Sequence, residues 1–289
     1  MRRATSAAVS VALLLIAVKL AAWLITDSVS LLSSLADSVM DALASLVNLL
    51  AVRHALQPAD PEHRFGHGKA EPLAGLGQAA FICASGIYLI VEAVGRLLEP
   101  RDIVHGEFGV GVMVFSIAVT AALVAYQRAV IKRTDSLAIR ADSLHYATDI
   151  LVNGGVILSL LLVMFLDWRA ADPIVALLIA GFIIFSAGRI ARSSLNHLMD
   201  RELPDGERER IKQIALKHPA VIDCHDLKTR AAGLNSFIQL HISMDGGLTL
   251  DAAHEISDAV EAAIMAAFPN AEVIIHADPE GVLERRQEF

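Results

Sequence analysis

The chain has 289 residues, of which 55% are hydrophobic and 19% charged. This composition, with a mean hydropathy of +0.53, excludes an ordinary soluble domain and predicts a polytopic membrane protein. The net charge of −8 is concentrated in residues 201–289, which carry 16 acidic and 9 basic side chains, so nucleic acid is not an expected partner. The two cysteines, Cys83 and Cys224, fall in different regions and provide neither a disulfide framework nor a CxxC zinc motif.

Six apolar segments are long enough to cross a lipid bilayer. They cover roughly residues 6–25, 30–53, 75–97, 108–130, 138–166 and 172–193. Arg2 and Arg3 before the first segment also fit a signal peptide, but this segment is long enough to span and a second one follows at once. Connections richer in arginine and lysine alternate with poorer ones, which predicts that both termini lie in the cytoplasm.

Residues 201–289 have the pattern of a small soluble domain. An amphipathic helix begins near Pro204, and two strand-like segments, VIDCHDLKTR and NSFIQLHISM, follow with Gly233 at the turn between them. A second amphipathic helix, LDAAHEISDAVEAAIMAAF, and a short strand, AEVIIHADP, complete the order αββαβ. We therefore predict an α-helical membrane protein, with six transmembrane helices in residues 1–200 and a small cytoplasmic α+β domain in residues 201–289.

Two pairs of metal-ligand side chains lie inside the predicted membrane helices. Asp37 and Asp41 are in the second span, and His145 and Asp149 are in the fifth. Each pair is spaced i, i+4, which places both side chains on one face of a helix, one turn apart. Because an ionisable residue near the bilayer centre costs roughly 2.5–3.5 kcal/mol, four of them require compensation. Three carboxylates and one imidazole on two helices predict a four-ligand site for a divalent metal ion.

Two simpler explanations compete with a metal site. The acids could pair with a buried base, but Lys19 is the only lysine or arginine deep in an apolar segment. Asp37 or His145 could instead lie at the membrane interface, which is hard to reconcile with two paired helices. Asn48 and Asn153 lie on similar helix faces, and we expect them to serve packing rather than the metal.

The same four residues suggest how an ion could be moved. A metal of the Zn²⁺ type needs deprotonated carboxylates and a neutral imidazole, whereas protons can occupy the same atoms when the metal is gone. Competition between a metal and protons at one site that opens alternately to each side would be proton–metal antiport. A channel is a weaker hypothesis, because tight binding slows release.

Two further clusters outside the spans have the composition of metal sites. Asp60, His63 and His67 lie in the loop PADPEHRFGHGKAE after the second span, where prolines and glycines disfavour a helix. The tail contains a larger candidate set: His225, His241, His254, His276 and Asp278. Strand alternation points His241 away from the core of its own domain. No ligand role is expected for the remaining histidines, His54, His105, His197 and His218, or for Cys224.

The chain resembles the cation diffusion facilitator family, and within it the bacterial branch that exports zinc and ferrous iron. The stretches that carry this resemblance are LADSVMDALASLVNLLAVR, LQPADPEHRFGHGKAE, IRADSLHYATDILVNGG, HDLKTR and VIIHADP. The resemblance implies a homodimer in the bacterial plasma (inner) membrane, with six transmembrane helices and a cytoplasmic, metallochaperone-like αββαβ domain.

The resemblance also implies roles for the three clusters. The membrane quartet would be the transport site, the loop cluster a second metal site, and the tail set a paired metal site at the cytoplasmic dimer interface. Lys69 and Asp200 match a charged pair that locks helices at the membrane–cytoplasm junction. Metals in the tail would tighten the dimer and bias the membrane domain between two states.

The resemblance and the ligand types together limit the substrate. Zn²⁺ or Fe²⁺ is expected, with Cd²⁺ and Co²⁺ as further candidates, exchanged for protons. Manganese members of the family tend to carry aspartate where this chain has His145, and the lack of a thiolate argues against Cu⁺. Membrane lipid is a further expected partner, and no organic cofactor is expected.

Two other classes of protein remain as alternatives. A membrane metalloenzyme would need a motif such as HExxH, which the chain lacks, so we do not expect an enzyme. A metal sensor without transport would explain the tail histidines but not the quartet in the membrane.

Overall fold

The computed structural model describes residues 1–26, 29–98, 107–166 and 171–281. Contacts divide the chain into two compact units, Met1–Leu195 and Asn196–Phe289. His105 and most of the connections predicted near residues 27, 100–107 and 167–172 lie outside the described residues.

Over the described residues, six long helices build the first unit, and each corresponds to one of the six predicted spans. They are α1 (Arg2–Thr26), α2 (Val29–Ala55), α3 (Ala70–Leu98), α4 (Glu107–Thr134), α5 (Leu137–Leu166) and α6 (Ala171–Leu198). The helices extend beyond the predicted spans, most at the start of α3 and the end of α6. The ends of α2 and α4 also lie beyond their predicted spans. Basic residues in their last turns favour these longer helices, because cations stabilise helix carboxyl ends.

Five of the six helices are long and apolar enough to cross a membrane over their described residues: α1, α2, α3, α4 and α6. The exception, α5, is a 30-residue helix. Its first half is polar and carries Arg140, Asp142, His145 and Asp149. Its second half, residues 151–166, is almost wholly apolar in sequence, so α5 combines these polar groups with a long apolar stretch.

Helix α5 contacts α2, α3 and α4, while α1 packs against α2 and α4. Side chains of α6 contact α3 and α5 at glycine positions, where the missing Cβ leaves room for them. A Cβ atom added at Gly86 would lie 2.7 Å from Ile184, and one added at Gly155 would lie 2.5 Å from Ile179. This packing places α2 and α5, which carry the predicted membrane ligands, side by side.

The second unit has the predicted order αββαβ. Its elements are α7 (Asp205–Ala215), β1 (Asp223–Ala232), β2 (Asn235–Met244), α8 (Leu250–Ala267) and β3 (Ala271–Pro279). Strand β2 is central, antiparallel to β1 and parallel to β3. Gly233 forms the β1–β2 turn with a φ of +63°, a conformation that glycine adopts without strain.

The core of the second unit lies between the sheet and its two helices. Ile211 of α7 and Ile264 of α8 are fully buried against Ile238, Leu240 and Ile242 of β2. The alternate residues of β2, which include His241, therefore point to the opposite face of the sheet, as predicted.

Replacing Ile264 with alanine should lower the free energy of unfolding of this unit by about 2–5 kcal/mol, because it leaves a cavity in the core. Ile274→Ala makes the same chemical change at a residue that is 52% exposed, and it should cost much less. Pulse proteolysis of the full-length protein in urea, following cleavage of the tail, measures both. Equal losses for the two variants would contradict the assignment of this core.

Candidate metal centres

The membrane helices bring three of the four predicted ligands together. Asp41 Oδ1 lies 2.9 Å from His145 Nε2, and ligand atoms of Asp41, His145 and Asp149 all lie within 4.8 Å of one another. Helix α2 supplies the first residue and α5 the other two, whose i, i+4 spacing places them on one face. The side chain of His145 is 7% exposed and that of Asp41 21%. Two carboxylates and one imidazole are thus held at ligating distance between two helices.

Asp37 is set apart from this cluster. It lies one turn before Asp41 on α2 and lines the same cavity, of about 370 Å³, but it does not belong to the group of three. Lys19 of α1 also lines the cavity. Coordination of one ion by all four predicted ligands therefore requires the Asp37 side chain to turn towards the other three.

A buried acid beside the cluster was not identified from the sequence. Asp142 lies three residues before His145 on α5 and is fully buried. Its Oδ2 accepts a hydrogen bond from Gln127 Nε2 of α4 at 2.7 Å, and its Oδ1 accepts one from Ser45 Oγ of α2 at 3.2 Å. The signal was present in the sequence, because an i, i+3 spacing in an apolar helix places Asp142 near the face of His145.

Further hydrogen bonds extend this polar layer to other helices. The hydroxyls of Ser45 and Tyr146 lie 2.8 Å apart, and the Tyr146 hydroxyl donates to the carbonyl of Ala8 on α1 at 3.3 Å. Asn48 Nδ2 of α2 donates to the carbonyl of Ala138 on α5 at 3.2 Å. Asn48 thus joins the two ligand-bearing helices, which agrees with the packing role expected for it.

The loop between α2 and α3 brings its three predicted ligands together. Asp60 Oδ1 lies 3.2 Å from His63 Nδ1, and Asp60 Oδ2 lies 3.2 Å from His67 Nε2. His67 is buried, whereas the side chain of His63 is 54% exposed. His54, for which no ligand role was expected, has its ring centroid 4.5 Å from that of His67, close to the 4.6 Å between His63 and His67.

Backbone donors fix the charge of the loop carboxylate. The N–H groups of His63 and Glu62 donate to Asp60 Oδ1 at 2.6 and 2.9 Å. These bonds, led by the one from His63, lower the pKa of Asp60 below its ordinary value, because they favour the ionised form. The backbone of the loop therefore favours the anionic form of Asp60.

The sheet of the second unit aligns three histidines in one row. His225 of β1 pairs with His241 of β2, and His241 pairs with His276 of β3. Residues paired in this way project from the same face of a sheet. The β1–β2 register shifts just after His225, between this residue and Lys228, so a local irregularity ends the pairing beside the row.

One carboxylate lies at the centre of this histidine row. Asp278 Oδ2 lies 2.9 Å from His241 Nδ1 and 3.4 Å from His225 Nε2, and Asp278 Oδ1 lies 3.1 Å from His276 Nε2. Asp278 is buried, while the side chain of His276 is 61% exposed. Three imidazoles and a carboxylate are thus gathered on the sheet face opposite the core.

Two acids that the sequence analysis left out lie near the row. Asp226 forms a second group of ligand atoms with His225 and His241, and Asp223 Oδ2 lies 3.1 Å from His225 Nδ1. Strand alternation already places Asp223 on the face of His225, two residues away. It does not predict Asp226, which has a φ of +47° in the irregular part of β1.

The structure does not place His254 in the row. This residue lies on α8, 73% exposed, with Nδ1 3.5 Å from Asp258 of the same helix. Cys224 lies in the core, where burial raises the pKa of its thiol. The exclusion of Cys224 from the ligands therefore agrees with its position.

A bundle of membrane-crossing helices with a buried carboxylate–imidazole cluster, followed by an α+β domain with a histidine row, defines a polytopic membrane protein built to handle metal cations. Residues 6–199 match the family model of the cation efflux transmembrane domain, and residues 203–280 match that of the cation efflux protein cytoplasmic domain. The chain therefore belongs to the cation efflux family.

Its similarity to curated relatives extends over nearly the whole chain. The cation-efflux pump FieF of Pectobacterium carotovorum subsp. carotovorum (strain PC1) is 46% identical over 99% of this chain and 96% of its own length. The protein of the same name from Salmonella arizonae is 44% identical over 98% and 94%.

Among solved structures, the Zn form of CzrB is 38% identical and covers 30% of this chain and 99% of its own, with a TM-score of 0.28. A histidine-to-alanine variant of MamM-CTD is 27% identical over 26% of this chain and 96% of its own, with a TM-score of 0.26.

Metal binding at the loop should weaken as the pH falls, because two imidazoles must lose protons before they bind. Equilibrium dialysis with Zn²⁺ between pH 5 and pH 8 should give about one ion per chain fewer for His63→Ala than for the unchanged protein near pH 7.5. This difference should vanish towards pH 5, and Asp60→Asn should weaken binding at the loop near pH 7.5.

His218→Ala, which removes a histidine outside the three clusters, is the control and should not change the number of ions bound. A His63-dependent ion that persists unchanged at pH 5 would contradict the loop site.

Proposed function

We propose that this protein exports Zn²⁺ or Fe²⁺ from the cytoplasm in exchange for protons, by alternating access to one site in the membrane. The observation that carries the proposal is the contact between Asp41 and His145, with Asp149 beside them, inside a bundle of membrane-crossing helices. Metal-cation efflux is the activity named for the curated relatives. In this chain, Asp41, His145 and Asp149 would be the metal ligands for such an activity.

The ligand types favour borderline divalent ions. Carboxylate oxygens suit many divalent cations, whereas an imidazole adds preference for Zn²⁺, Fe²⁺, Co²⁺ and related ions. His145 is the only imidazole among the described residues that line the membrane cavity, and no cysteine lines it. This set supports Zn²⁺ or Fe²⁺ over Cu⁺, with Cd²⁺ and Co²⁺ as further substrates.

Proton exchange is supported by the same contact. A carboxylate oxygen and an imidazole nitrogen 2.9 Å apart share a proton in a hydrogen bond. A metal ion bound to both atoms would use the same lone pairs that hold the proton. Metal and proton therefore compete for one pair of atoms, which is the minimum chemistry that an antiporter needs.

We propose that the protein lies in the bacterial inner membrane with both termini in the cytoplasm. The alternation of basic connections supports this orientation. The acidic tail would then face the compartment from which metal is exported, where its histidine row could sample the cytoplasmic concentration of the ion. The proposed charged pair of Lys69 and Asp200 stays a prediction; within the second unit, Asp200 Oδ1 lies 3.5 Å from Arg230 Nη1.

We further propose that the tail binds regulatory metal at the interface of a homodimer. The row of His225, His241 and His276 with Asp278 already offers enough ligands for one ion. His254 is exposed and separate from this row, so it would bind from the partner chain. Metal that links two copies stabilises the dimer by its binding free energy.

Replacing Asp41 with asparagine should lower the rate of metal uptake at least about a hundredfold, because it removes an anionic ligand from the membrane cluster. The protein is reconstituted into liposomes with an acidic lumen, and uptake of Zn²⁺, Fe²⁺ and Mn²⁺ is followed with and without the pH gradient. Asp149→Asn should give the same loss, and collapse of the gradient should slow uptake by the unchanged protein.

Asp135→Asn is the matched control, since this acid is 82% exposed at the turn before α5, and it should transport normally. Uptake that survives Asp41→Asn would rule out the membrane cluster as the transport site. Metal binding without any flux would instead favour a sensor.

Removal of His276 or His254 should weaken metal-dependent dimerisation, because each is proposed to ligate the ion that joins two copies. Analytical ultracentrifugation of the full-length protein in detergent, with and without Zn²⁺, measures this effect. Zn²⁺ should shift the unchanged protein towards the dimer, and His276→Ala and His254→Ala should each reduce that shift, whereas His218→Ala should not. An unchanged shift in His254→Ala would show that the partner chain does not contribute this ligand.

A further inference from the structure

A single lysine side chain enters the cavity that holds the membrane ligands. Lys19 of α1 lines this cavity together with Asp37, Asp41, His145 and Asp149. Its Nζ donates to the Ser38 hydroxyl at 2.7 Å and to the Ser34 carbonyl at 3.1 Å, both on α2. Among the described residues around the cavity, no other lysine or arginine is present.

The hydrogen bonds hold this ammonium on the ligand-bearing side of α2. Ser38 follows Asp37 directly, and Ser34 lies three residues before it. An ammonium has three donors and no acceptor, so a carbonyl and a hydroxyl are suitable partners that leave its positive charge in place. The charge therefore stays beside the metal ligands without occupying their oxygens.

The charge of the cavity depends on this lysine. In the state that binds metal, the three carboxylates are ionised and the imidazole is neutral. Among the side chains that line the cavity, which do not include Asp142, three negative charges and the charge of Lys19 then sum to two negative, which one divalent cation neutralises. Without Lys19 the cavity would carry three negative charges and would keep an excess negative charge around a bound divalent ion.

We propose that Lys19 is a built-in counter-charge that matches the cavity to a divalent cation and keeps its affinity low enough for release. The inference rests on the proposed transport function and adds a specificity-determining residue that does not touch the metal. A part-buried cation close to the site repels a second cation strongly, because little water screens the interaction. The same repulsion hastens the departure of the ion.

The competing explanation is that Lys19 only links α1 to α2. That role predicts looser ligands and weaker metal binding when the lysine is removed, whereas the counter-charge predicts tighter binding. The two explanations therefore differ in the sign of the effect, and the sign can be measured.

The test compares Lys19→Gln and Lys19→Met, which remove the charge, with Lys19→Arg, which keeps it. Glutamine also keeps a donor for Ser34 and Ser38. Zn²⁺ binding is measured by calorimetry on the full-length protein with His63→Ala and His241→Ala as background. His241 belongs to both groups of ligand atoms in the tail, so the remaining binding reports the membrane cavity. Uptake into liposomes is measured with the same proteins, and Lys132→Gln, an exposed lysine at the end of α4, is the control.

Both neutral variants should bind Zn²⁺ about tenfold more tightly than the background protein. Their apparent KM and their maximal uptake rate should both fall, since slower release limits turnover. Lys19→Arg and Lys132→Gln should stay within about twofold. Size-exclusion profiles identify any variant that does not fold, and the two neutral variants give independent readings.

Unchanged or weaker binding in the folded neutral variants, with normal Asp41-dependent uptake by the unchanged protein, would overturn the role of Lys19 and leave the proposed transport intact. If the unchanged protein shows no Asp41-dependent binding or uptake, the proposed function itself fails, and the inference about Lys19 fails with it.

Discussion

Ionisable groups inside membrane-crossing helices must be compensated within the protein, and the arrangement of the first unit follows from this requirement. Each isolated charge near the bilayer centre costs roughly 2.5–3.5 kcal/mol. Asp41 is placed against His145, Asp142 against Gln127 and Ser45, and Lys19 against Ser38. Every one of these contacts joins different helices, so the groups that would penalise insertion also fix how α1, α2, α4 and α5 pack.

The tail obtains its cluster by a different physical route. Its histidines lie on a sheet, where the register of three strands, rather than exclusion from lipid, places them in a row. A slip of one residue in β2 would turn His241 into the core and move Leu240 to the open face. The buried isoleucines on the other side of β2 therefore hold the metal-ligand row in place as well as the fold.

What the sequence could predict depended on spacing within one element. The i, i+4 pairs of α2 and α5, the loop ligands and the order αββαβ all follow from such spacing, and so does the orientation of His241. Contacts between elements could not be predicted from spacing alone. They include His54 beside His67, the hydrogen bonds of Asp142 to α2 and α4, and Asp226 near the row from an irregular part of β1. The separation of His254 from the row has the same origin, because its place on α8 relative to the strands depends on how the elements pack.

The exposure of the three clusters differs in a way that suits different tasks. His145 is 7% exposed within the helix bundle, whereas His63 of the loop is 54% exposed and His276 of the tail 61%. An ion at an exposed cluster exchanges with water directly, so its occupancy follows the concentration of the ion nearby. In the proposed alternating-access cycle, an ion at the membrane cluster leaves when the helices around it move. Under that proposal, a charge that lies beside the ligands without binding the ion, such as Lys19, would favour release, because it repels the bound cation.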